Sequence, residues 1–292
     1  MQLSVFNIPI DKPVNVSAVK HRSPFRYPGG KTWFTPRVFK WLSTKENKPK
    51  EFIEPFAGGA IVGLSVAFEN LADHITLAEL DNQVASVWEV IIQSNQAEWL
   101  ARKIEEFDFN SDNVSKVLET PASNLREAAF QTIIQNRANR GGILAKGAGK
   151  IKNGEKGKGI ASRWYPQTLA KRIRDIKAVS KRLTFIHGDG FDVVTAKANL
   201  TNVVFFIDPP YTAGNGKRAG TRLYTHFNID HERLFTILEE VKGDFILTYD
   251  DDKYIRELAN IHRFEYSRIA MHSTHHAEMR ELVIGRDLSW LG

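Results

Sequence analysis

The sequence predicts an α/β domain with a mostly parallel sheet that is interrupted by a helical, basic insertion. Short apolar runs rich in β-branched residues alternate with helical patterns before residue 92 and after residue 183, as in a parallel sheet covered by helices. Charge marks the interruption, since residues 137–182 carry 14 Lys and Arg against Glu155 and Asp175. The rest of the chain is therefore acidic, although the total net charge is +6. Such an asymmetry favours a polyanionic partner, with nucleic acid first.

The first part of the sheet is predicted before residue 92. A strand, a glycine turn, a helix and a second strand follow one another at residues 50–53, 57–60, 61–69 and 74–78. This order makes a βαβ unit, which implies parallel strands. The next helix begins after Asp81, its predicted N-cap. Its apolar face is formed at helical spacing by Val84, Val87, Trp88 and Ile91.

The middle of the chain shows helical patterns and no convincing strand. They cover residues 95–107, 122–138 and 166–181, with a segment rich in Gly and Lys at 141–160. Strands resume at 183–186, 203–207 and 245–248, with a helix marked by Leu234, Ile237, Leu238 and Val241. Two further runs, 263–271 and 279–285, are close enough to pair as a C-terminal hairpin. We therefore expect a lead-in at 1–19, a sheet domain built from 20–92 and 183–292, and an inserted domain at 93–182.

The composition excludes several kinds of chemistry. The chain has no cysteine, so disulfides, thiolate catalysis and Cys-based metal sites are excluded. The N-terminus lacks the pattern of a signal peptide and no span approaches transmembrane length, so we expect a cytoplasmic protein without a membrane partner. A metal site is not expected, because no acidic partners surround the candidate ligands His272, His275 and His276.

The strand at 203–207 ends in the tetrad Asp208-Pro209-Pro210-Tyr211. Open α/β sheets bind their ligands at the carboxyl ends of strands, where this tetrad is predicted to lie. Proline has no N–H and a restricted φ, so the turn is stiff and its carbonyl groups have fixed directions. All four residues are candidate catalytic residues. An ordinary turn at the end of a strand is the alternative for the tetrad taken alone.

The segment Glu54-Pro55-Phe56-Ala57-Gly58-Gly59-Ala60 connects the first strand to its helix. Its glycines allow close approach of a ligand, and a helix N-terminus favours electron-rich groups. Glu79 follows Gly59 by 20 residues, the spacing of an acid that binds a ribose. The segment does not end in Gly-Lys-Ser/Thr, which favours a nucleoside without a triphosphate, such as S-adenosylmethionine. A tight turn with an incidental acid is the alternative.

Two further turns carry candidate residues. Tyr27 and Lys31 flank Pro28-Gly29-Gly30 and could offer a stacking face and a cation for an amino-acid carboxylate. Asp189, in His187-Gly188-Asp189-Gly190, could accept a hydrogen bond from an adenine amino group. Plain surface turns are the alternative for both.

Taken together and in this order, these motifs resemble the Dam-like (D12-class, α-group) DNA adenine-N6 methyltransferases, which use S-adenosylmethionine. The resemblance covers residues 22–292 and is weakest in the insertion. It implies a Rossmann-like methyltransferase fold with an inserted target-recognition domain, acting site-specifically on N6 of an adenine flipped out of double-stranded DNA. It also implies a bacterial or phage-infected cell. Contact with the cofactor is expected from Tyr27, Lys31, Glu54, Phe56, Gly58, Glu79, Asp189 and Asp208.

The sequence departs from the family pattern at three places. Ala60 stands where the family usually has a third glycine, and Glu79-Leu80-Asp81 where Asp-x-Asn is common. Residues 141–164 lack the Tyr- and Asn-rich hairpin of Dam enzymes, so GATC specificity is not transferred. Asn136-Arg137 followed by Gly141 loosely resembles the start of that hairpin. The aromatic and His pattern after the tetrad is matched by Tyr224, Phe227 and His231.

The cations of the insertion are the predicted DNA contacts: Arg137, Arg140, Lys146, Lys150, Lys152, Lys156, Lys158 and Arg163. In the predicted reaction, Asp208 and the Pro209 carbonyl hold the adenine amino group and Tyr211 stacks on the base. A single recognition insertion suggests a monomer, and a cognate restriction endonuclease acting separately is an open partner. The alternatives are a ribosomal RNA adenine-N6 methyltransferase, a cytosine-N4 methyltransferase and a non-catalytic DNA-binding regulator.

Overall fold

The structure is a computed structural model that describes residues 9–211, 223–226, 228–272 and 278–292. Phe227, His275 and His276 lie outside the described residues, as does the side chain of His272. A seven-stranded sheet forms the centre of the molecule in the order β3-β2-β1-β4-β5-β7-β6. The strands are β1 (Glu51–Glu54), β2 (His74–Glu79), β3 (Leu183–His187), β4 (Val203–Ile207), β5 (Asp244–Asp250), β6 (Glu265–His272) and β7 (Glu278–Gly285).

Five strands of the sheet are parallel, and the C-terminal hairpin is antiparallel. β1 pairs with both β2 and β4 in parallel, and β7 pairs antiparallel with both β5 and β6. The order reverses between β1 and β4, which is the topological switch point where open α/β sheets bind ligands. The predicted Rossmann-like fold class with a C-terminal hairpin is confirmed.

The sequence of β4 explains its central place. All five residues of β4 are buried, because helices cover both faces of a parallel sheet. Successive side chains alternate between the faces, so Phe206 packs into one core cluster while Phe205 and Ile207 pack into the other. Since Ile53 of β1 is in register with Phe205, Glu54 and the tetrad that begins at Asp208 meet at the same edge of the sheet.

Ten helices longer than one turn lie within the described ranges. They are α1 (Thr35–Ser43), α2 (Ile61–Phe68), α3 (Asn82–Trp88), α4 (Ala97–Glu106), α5 (Ser111–Glu119), α6 (Leu125–Ala138), α7 (Pro166–Val179), α8 (Gly190–Lys197), α9 (His231–Glu240) and α10 (Lys253–Ile261). α3 continues into a π-helical turn at Glu89–Gln93. Its predicted N-cap is confirmed, since Asp81 accepts hydrogen bonds from the amides of Gln83 and Val84.

The helices of the insertion share their core with the sheet. Leu100 of α4, Ile133 of α6 and Ile173 of α7 belong to the same apolar cluster as Phe206 of β4 and Trp88 of α3. The insertion therefore packs against one face of the sheet domain, and its division from that domain at residues 93 and 182 stays a prediction. Within the described ranges, no helix is long and apolar enough to cross a membrane.

Candidate active site

A cavity of about 910 Å³ opens at the carboxyl ends of the parallel strands. Its lining includes the residues that follow β1, β2, β3 and β4, so it occupies the position that the topology favours for a ligand. All eight predicted cofactor-binding residues line it: Tyr27, Lys31, Glu54, Phe56, Gly58, Glu79, Asp189 and Asp208. Of the other catalytic candidates, Pro210 also lines the cavity. A volume of this size suits a nucleoside cofactor together with a base.

The loop before α1 brings Tyr27 and Lys31 to the cavity. Gly29 has a φ of 71°, and a Cβ there would lie 2.6 Å from the hydroxyl oxygen of Tyr224. That hydroxyl donates to the carbonyl of Pro28 over 3.0 Å, and the rings of Tyr27 and Tyr224 lie 6.1 Å apart. Only glycine allows this close approach, so the Pro-Gly-Gly turn has a structural reason.

Lys31, Asp208 and Glu281 line one part of the cavity. They contact Tyr211 and Thr248, which are not among its lining residues. We call these five residues the catalytic wall. The Lys31 ammonium lies 3.0 Å from Oδ1 of Asp208 and 3.4 Å from Oε2 of Glu281. The Tyr211 hydroxyl lies 2.8 Å from Oδ1 of Asp208 and 3.2 Å from Oε2 of Glu281. Thr248 donates to the same Asp208 oxygen over 2.8 Å. These contacts link β4, β5, β7 and the loop before α1 into one network.

Burial and the neighbouring charges together set the pKa values of Lys31 and Glu281 in this wall. Burial alone would lower the pKa of Lys31, which is 2% exposed, but Asp208 and Glu281 outweigh burial and raise it. Burial raises the pKa of Glu281 to about 7, against the lowering effect of Lys31 and with the help of Asp208 and Asp250. Near neutral pH the wall therefore has one carboxyl group, Glu281, that can either hold or release a proton.

The turn after β1 is held by two carboxyl groups, of which Glu54 is buried and Glu79 is half-buried. Glu79 accepts the amide of Gly58 on Oε2 and the amides of Leu80 and Asp81 on Oε1, each over 2.8 Å. Glu54 accepts the amide of Gly63 in α2 over 2.7 Å. Burial raises the pKa of both carboxyl groups, more strongly for Glu54. Glu79 is thereby fixed at the end of β2 before any ligand binds.

Steric contacts explain the residues of this turn. Gly58 has a φ of 46°, and a Cβ there would lie 2.7 Å from Cζ of Tyr27. Ala60 has a φ of 50°, in the left-handed region where the family has glycine. A side chain in that region costs about 1–2 kcal/mol, so Ala60 keeps the turn at a cost in strain.

Asp189 and Phe56 lie next to each other at the start of α8. Asp189 is the N-cap of this helix and accepts the amide of Phe191 over 2.8 Å. The rings of Phe56 and Phe191 meet edge to face at 5.9 Å. This arrangement gives the cavity an aromatic surface beside an acceptor, as binding of an adenine requires.

A second group of lining residues, which we call the cationic wall, consists of Arg26, Arg137, Arg163 and Arg172 with His21 beside them. Arg137 donates to the carbonyl of Pro24, and Arg172 to the carbonyl of Ser23 over 3.0 Å. Within the part of the chain that the structure describes, Nη1 of Arg26 and Nε of Arg137 are buried without a hydrogen-bond partner.

Mutual repulsion is visible in the pKa values of the cationic wall. Burial, then Arg172 and Arg26, lower the pKa of Arg137 to about 9. Burial, then Arg172 and Arg137, lower the pKa of His21. Arg163 differs from the others because it forms an ion pair with Glu155. This wall therefore carries positive charge that the described residues balance only in part.

The predicted DNA contacts fall into two groups. Arg137 and Arg163 line the cavity, although Arg137 is only 5% exposed and lies in the interior. The others with described side chains are exposed on the segment that follows α6: Arg140, Lys146, Lys150, Lys152 and Lys158. An antiparallel bridge between Asn139 and Lys150 closes the first part of this segment. The side chain of Lys156 lies outside the described part.

Asn136 connects the insertion to the cofactor loop. It accepts the amide of Arg26 over 3.0 Å and donates to the carbonyl of Arg26 over 2.9 Å. It also donates to the carbonyl of Gly142 over 2.7 Å. The Asn136-Arg137 pair therefore places the segment after α6 directly against the residue that precedes Tyr27.

The sheet topology and the tetrad at the end of β4 agree with the resemblance to methyltransferases that the sequence motifs indicate. Residues 27–272 match the model of the D12 class N6 adenine-specific DNA methyltransferase family, and the chain belongs to this family. It is an S-adenosylmethionine-dependent methyltransferase that acts on N6 of adenine in DNA. The family match favours DNA over ribosomal RNA, cytosine or a purely regulatory role.

Solved structures with a similar fold are distant in sequence. A Pyrococcus horikoshii protein described as an RNA methyltransferase shares 10% identity over 92% of each chain, with a TM-score of 0.41. Precorrin-6y C5,15-methyltransferase from Geobacter metallireducens shares 10% identity over 86% of each chain, with a TM-score of 0.35. A search of curated protein sequences finds no match. Among the described residues, no group of three or more His, Asp or Glu could hold a metal ion.

Proposed function

We propose that Asp208 and the carbonyl of Pro209 hold the amino group of an adenine that has flipped out of double-stranded DNA. The observation that carries this proposal is the distribution of contacts on Asp208. Lys31, Tyr211 and Thr248 all contact Oδ1, and Oδ2 has no hydrogen bond to any other described residue. Asp208 lines the cavity, so its second oxygen can accept an amino hydrogen without breaking the network that fixes the side chain.

The amino group needs this help because its lone pair is delocalised into the adenine ring. Two hydrogen bonds, one to Asp208 and one to the Pro209 carbonyl, would localise the lone pair on N6. S-adenosylmethionine, when bound, supplies a methyl group on a positively charged sulfur. In-line displacement then needs no covalent intermediate on the protein, and positioning and electrostatics supply most of the rate.

The other cavity residues are proposed to orient the cofactor. Glu79 has both oxygens fixed by backbone amides, and a carboxylate has further lone pairs for a ribose hydroxyl. Asp189, Phe56 and Gly58 would surround the adenine of the cofactor, and Tyr27 and Lys31 would lie near its amino-acid part. Glu54 accepts a hydrogen bond from the amide of Gly63 and would thereby stabilise the turn.

Tyr211 is proposed to stack on the flipped base. Its hydroxyl is fixed by Asp208 and Glu281, and its ring stacks on Tyr249 with centroids 5.5 Å apart. The ring is therefore already ordered, but the Lys31 ammonium lies over it at 4.6 Å from the centroid. A base that stacks on Tyr211 would therefore have to displace Lys31 from the ring. The stacking contact would offset part of the few kcal/mol that base flipping costs.

DNA binding is proposed to use the cationic wall together with the exposed cations of residues 140–158. Phosphates would bind the cations that remain accessible on these two surfaces, and their binding would be sensitive to salt. We further propose that the protein acts as a monomer on each strand in turn, in the cytoplasm of a bacterial or phage-infected cell. A cognate endonuclease would act separately.

The test is transfer of a labelled methyl group to unmethylated duplex DNA by the variant Asp208→Ala. We expect a loss of about 1000-fold or more, because the variant removes an acceptor aimed at the reacting group. DNA binding and the circular dichroism spectrum should be unchanged. Asp192→Ala is the matched control, since Asp192 is exposed on α8. Turnover near the wild-type rate in Asp208→Ala would exclude the proposed mechanism.

A further inference from the structure

Glu281 is the one charged member of the catalytic wall that the sequence motifs do not include. It lies on β7 opposite Asp250 of β5 and Ile269 of β6. It is 6% exposed and lines the cavity. A carboxyl group this deeply buried is uncommon unless it is paired or has a function.

The hydrogen-bond geometry around Tyr211 allows a proton to be shared between two carboxyl groups. The Tyr211 hydroxyl has one proton and lies within hydrogen-bond distance of two carboxyl groups, at 2.8 Å from Asp208 and 3.2 Å from Glu281. It can donate to only one of them. Both contacts can be hydrogen bonds if one of the two carboxyl groups is protonated. That group then donates its proton to the phenolic oxygen, and Tyr211 donates its own proton to the other carboxyl group. The geometry thus has a place for one additional proton between Asp208 and Glu281.

The charged groups around Glu281 come from each neighbouring element. Lys31 faces it from the loop before α1, Asp208 and Tyr211 from the end of β4, Tyr224 from the segment before α9, and Asp250 from β5. With these neighbours and its burial, the pKa of Glu281 is raised to about 7. A proton acceptor works best when its pKa lies near the working pH.

We propose that Glu281 is the final acceptor of the proton that the adenine amino group loses, and that Tyr211 carries this proton from Asp208. The step rests on the proposed role of Asp208. The N6 lone pair forms the N–C bond while the electrons of the S–C bond remain on sulfur, which leaves N6 positively charged. One N–H bond then breaks and its proton passes to Asp208. Rotation of that carboxyl group then exchanges its two oxygens and breaks the contacts of Oδ1 for the duration of the step. The proton moves from Asp208 to the phenolic oxygen, and the phenolic proton moves to Glu281.

Glu281 thereby ends as a neutral acid, and it returns the proton to water when the products leave the cavity it lines. Ionised Glu281 also places negative charge near the positive charge that develops on N6. The protonated form of Glu281 at low pH would lack both effects. The rate of methyl transfer should therefore fall as the pH drops below about 7 in the wild-type protein.

The experiment measures single-turnover transfer of tritiated methyl groups to saturating unmethylated plasmid DNA across the pH range. We expect Glu281→Gln to lose the acidic limb of the profile and to react about 100-fold more slowly at high pH. Tyr211→Phe should lose the same limb, because it removes the relay but keeps the ring. Glu281→Asp should keep the limb, with a shifted midpoint. Glu257→Gln, on the exposed face of α10, is the control.

The outcomes separate this inference from the proposed function. An unchanged limb and rate in Glu281→Gln, beside an active wild type and an inactive Asp208→Ala, would overturn the role of Glu281 alone. An active Asp208→Ala would instead overturn the proposed function. Loss of folding in Glu281→Gln would be visible in the thermal melt, and Tyr211→Phe and Glu281→Asp would then decide. A limb that persists in Tyr211→Phe would exclude the relay.

Discussion

The two walls of the cavity differ in how completely their charged groups are paired. In the catalytic wall, the Lys31 ammonium lies between the carboxylates of Asp208 and Glu281, and each carboxylate also contacts Tyr211. In the cationic wall, Arg137 and Arg172 are bonded to backbone carbonyls, which are neutral. The pKa of Lys31 is raised, whereas the pKa of Arg137 is lowered.

This difference indicates that the two walls have different functions. A network whose charges are mutually paired holds its atoms in place before the substrate arrives, as catalysis by electrostatic preorganisation requires. A wall of cations with unpaired N–H groups is incomplete until an anion binds. A single DNA chain can satisfy both, since its phosphates suit the cationic wall while one base reaches the catalytic wall.

The largest expected effect comes from removing the cation of the catalytic wall with Lys31→Met. The buried carboxyl group of Glu281 and the half-buried carboxylate of Asp208 would then face each other without a counter-charge, and breaking a buried pair costs about 3–5 kcal/mol. The free energy of unfolding should fall by that amount at pH 8, as measured by urea denaturation. At acid pH the loss should shrink, because Glu281, whose pKa is about 7, becomes neutral.

Lys253→Met is the control for this change, since Lys253 forms an exposed pair with Glu257 and such pairs contribute little. An equal loss at both pH values for Lys31→Met would mean that Lys31 acts through packing. The catalytic wall would then not be the charge-paired network inferred from its distances.

A smaller effect is expected on the pH dependence of stability in Glu281→Gln. The folded state raises the pKa of Glu281 to about 7, so the folded protein holds this proton more tightly than the unfolded chain. The resulting stability is fully present below the ordinary carboxyl pKa and is lost as the pH rises through 7. Relative to Glu281→Gln, the wild type should lose about 3 kcal/mol between pH 4 and pH 8.

Urea titrations of both proteins at a series of pH values measure this difference. Parallel curves for the two proteins would show that the Glu281 carboxyl group has an ordinary pKa in the folded state. In that case the catalytic wall would have no proton to share at neutral pH.

Sequence patterns predicted Asp208 but not Glu281 in the catalytic wall, because only the position of Asp208 follows from local sequence. The tetrad at Asp208 directly follows an apolar strand, so its place at the sheet edge follows from local sequence. Glu281 contacts Tyr211 across 70 positions of the chain, and only the pairing of β5 with β7 brings them together. An acid directly before the apolar run Leu282-Val283-Ile284 was a signal that could have identified it.

For the cationic wall, the sequence predicted the charge but not which residues line the cavity. The basic block was visible in the composition, but composition does not tell which cations turn inward. Arg137 was predicted as a DNA contact and is buried, while His21 and Arg172, which line the cavity, were not predicted. Helices α1, α5, α8 and α10, each of eight or nine residues, were also not predicted, although α2 and α3 of similar length were.

The smallest expected effect concerns the cationic wall and is measured by DNA binding of Arg172→Gln. Arg172 lines the cavity on α7, so its loss should remove one phosphate contact and weaken binding about tenfold at low salt. The slope of log affinity against log salt should become shallower by about 0.9.

Arg102→Gln makes the same change of charge on α4, outside the cavity, where the side chain is 69% exposed. Anisotropy titrations of a labelled duplex at several salt concentrations compare the two variants. If Arg172→Gln alone changes the slope, Arg172 binds a phosphate inside the cavity. If both variants change the slope equally, the cations act only through the net charge of the protein, and the contrast between the walls has no bearing on how DNA is held.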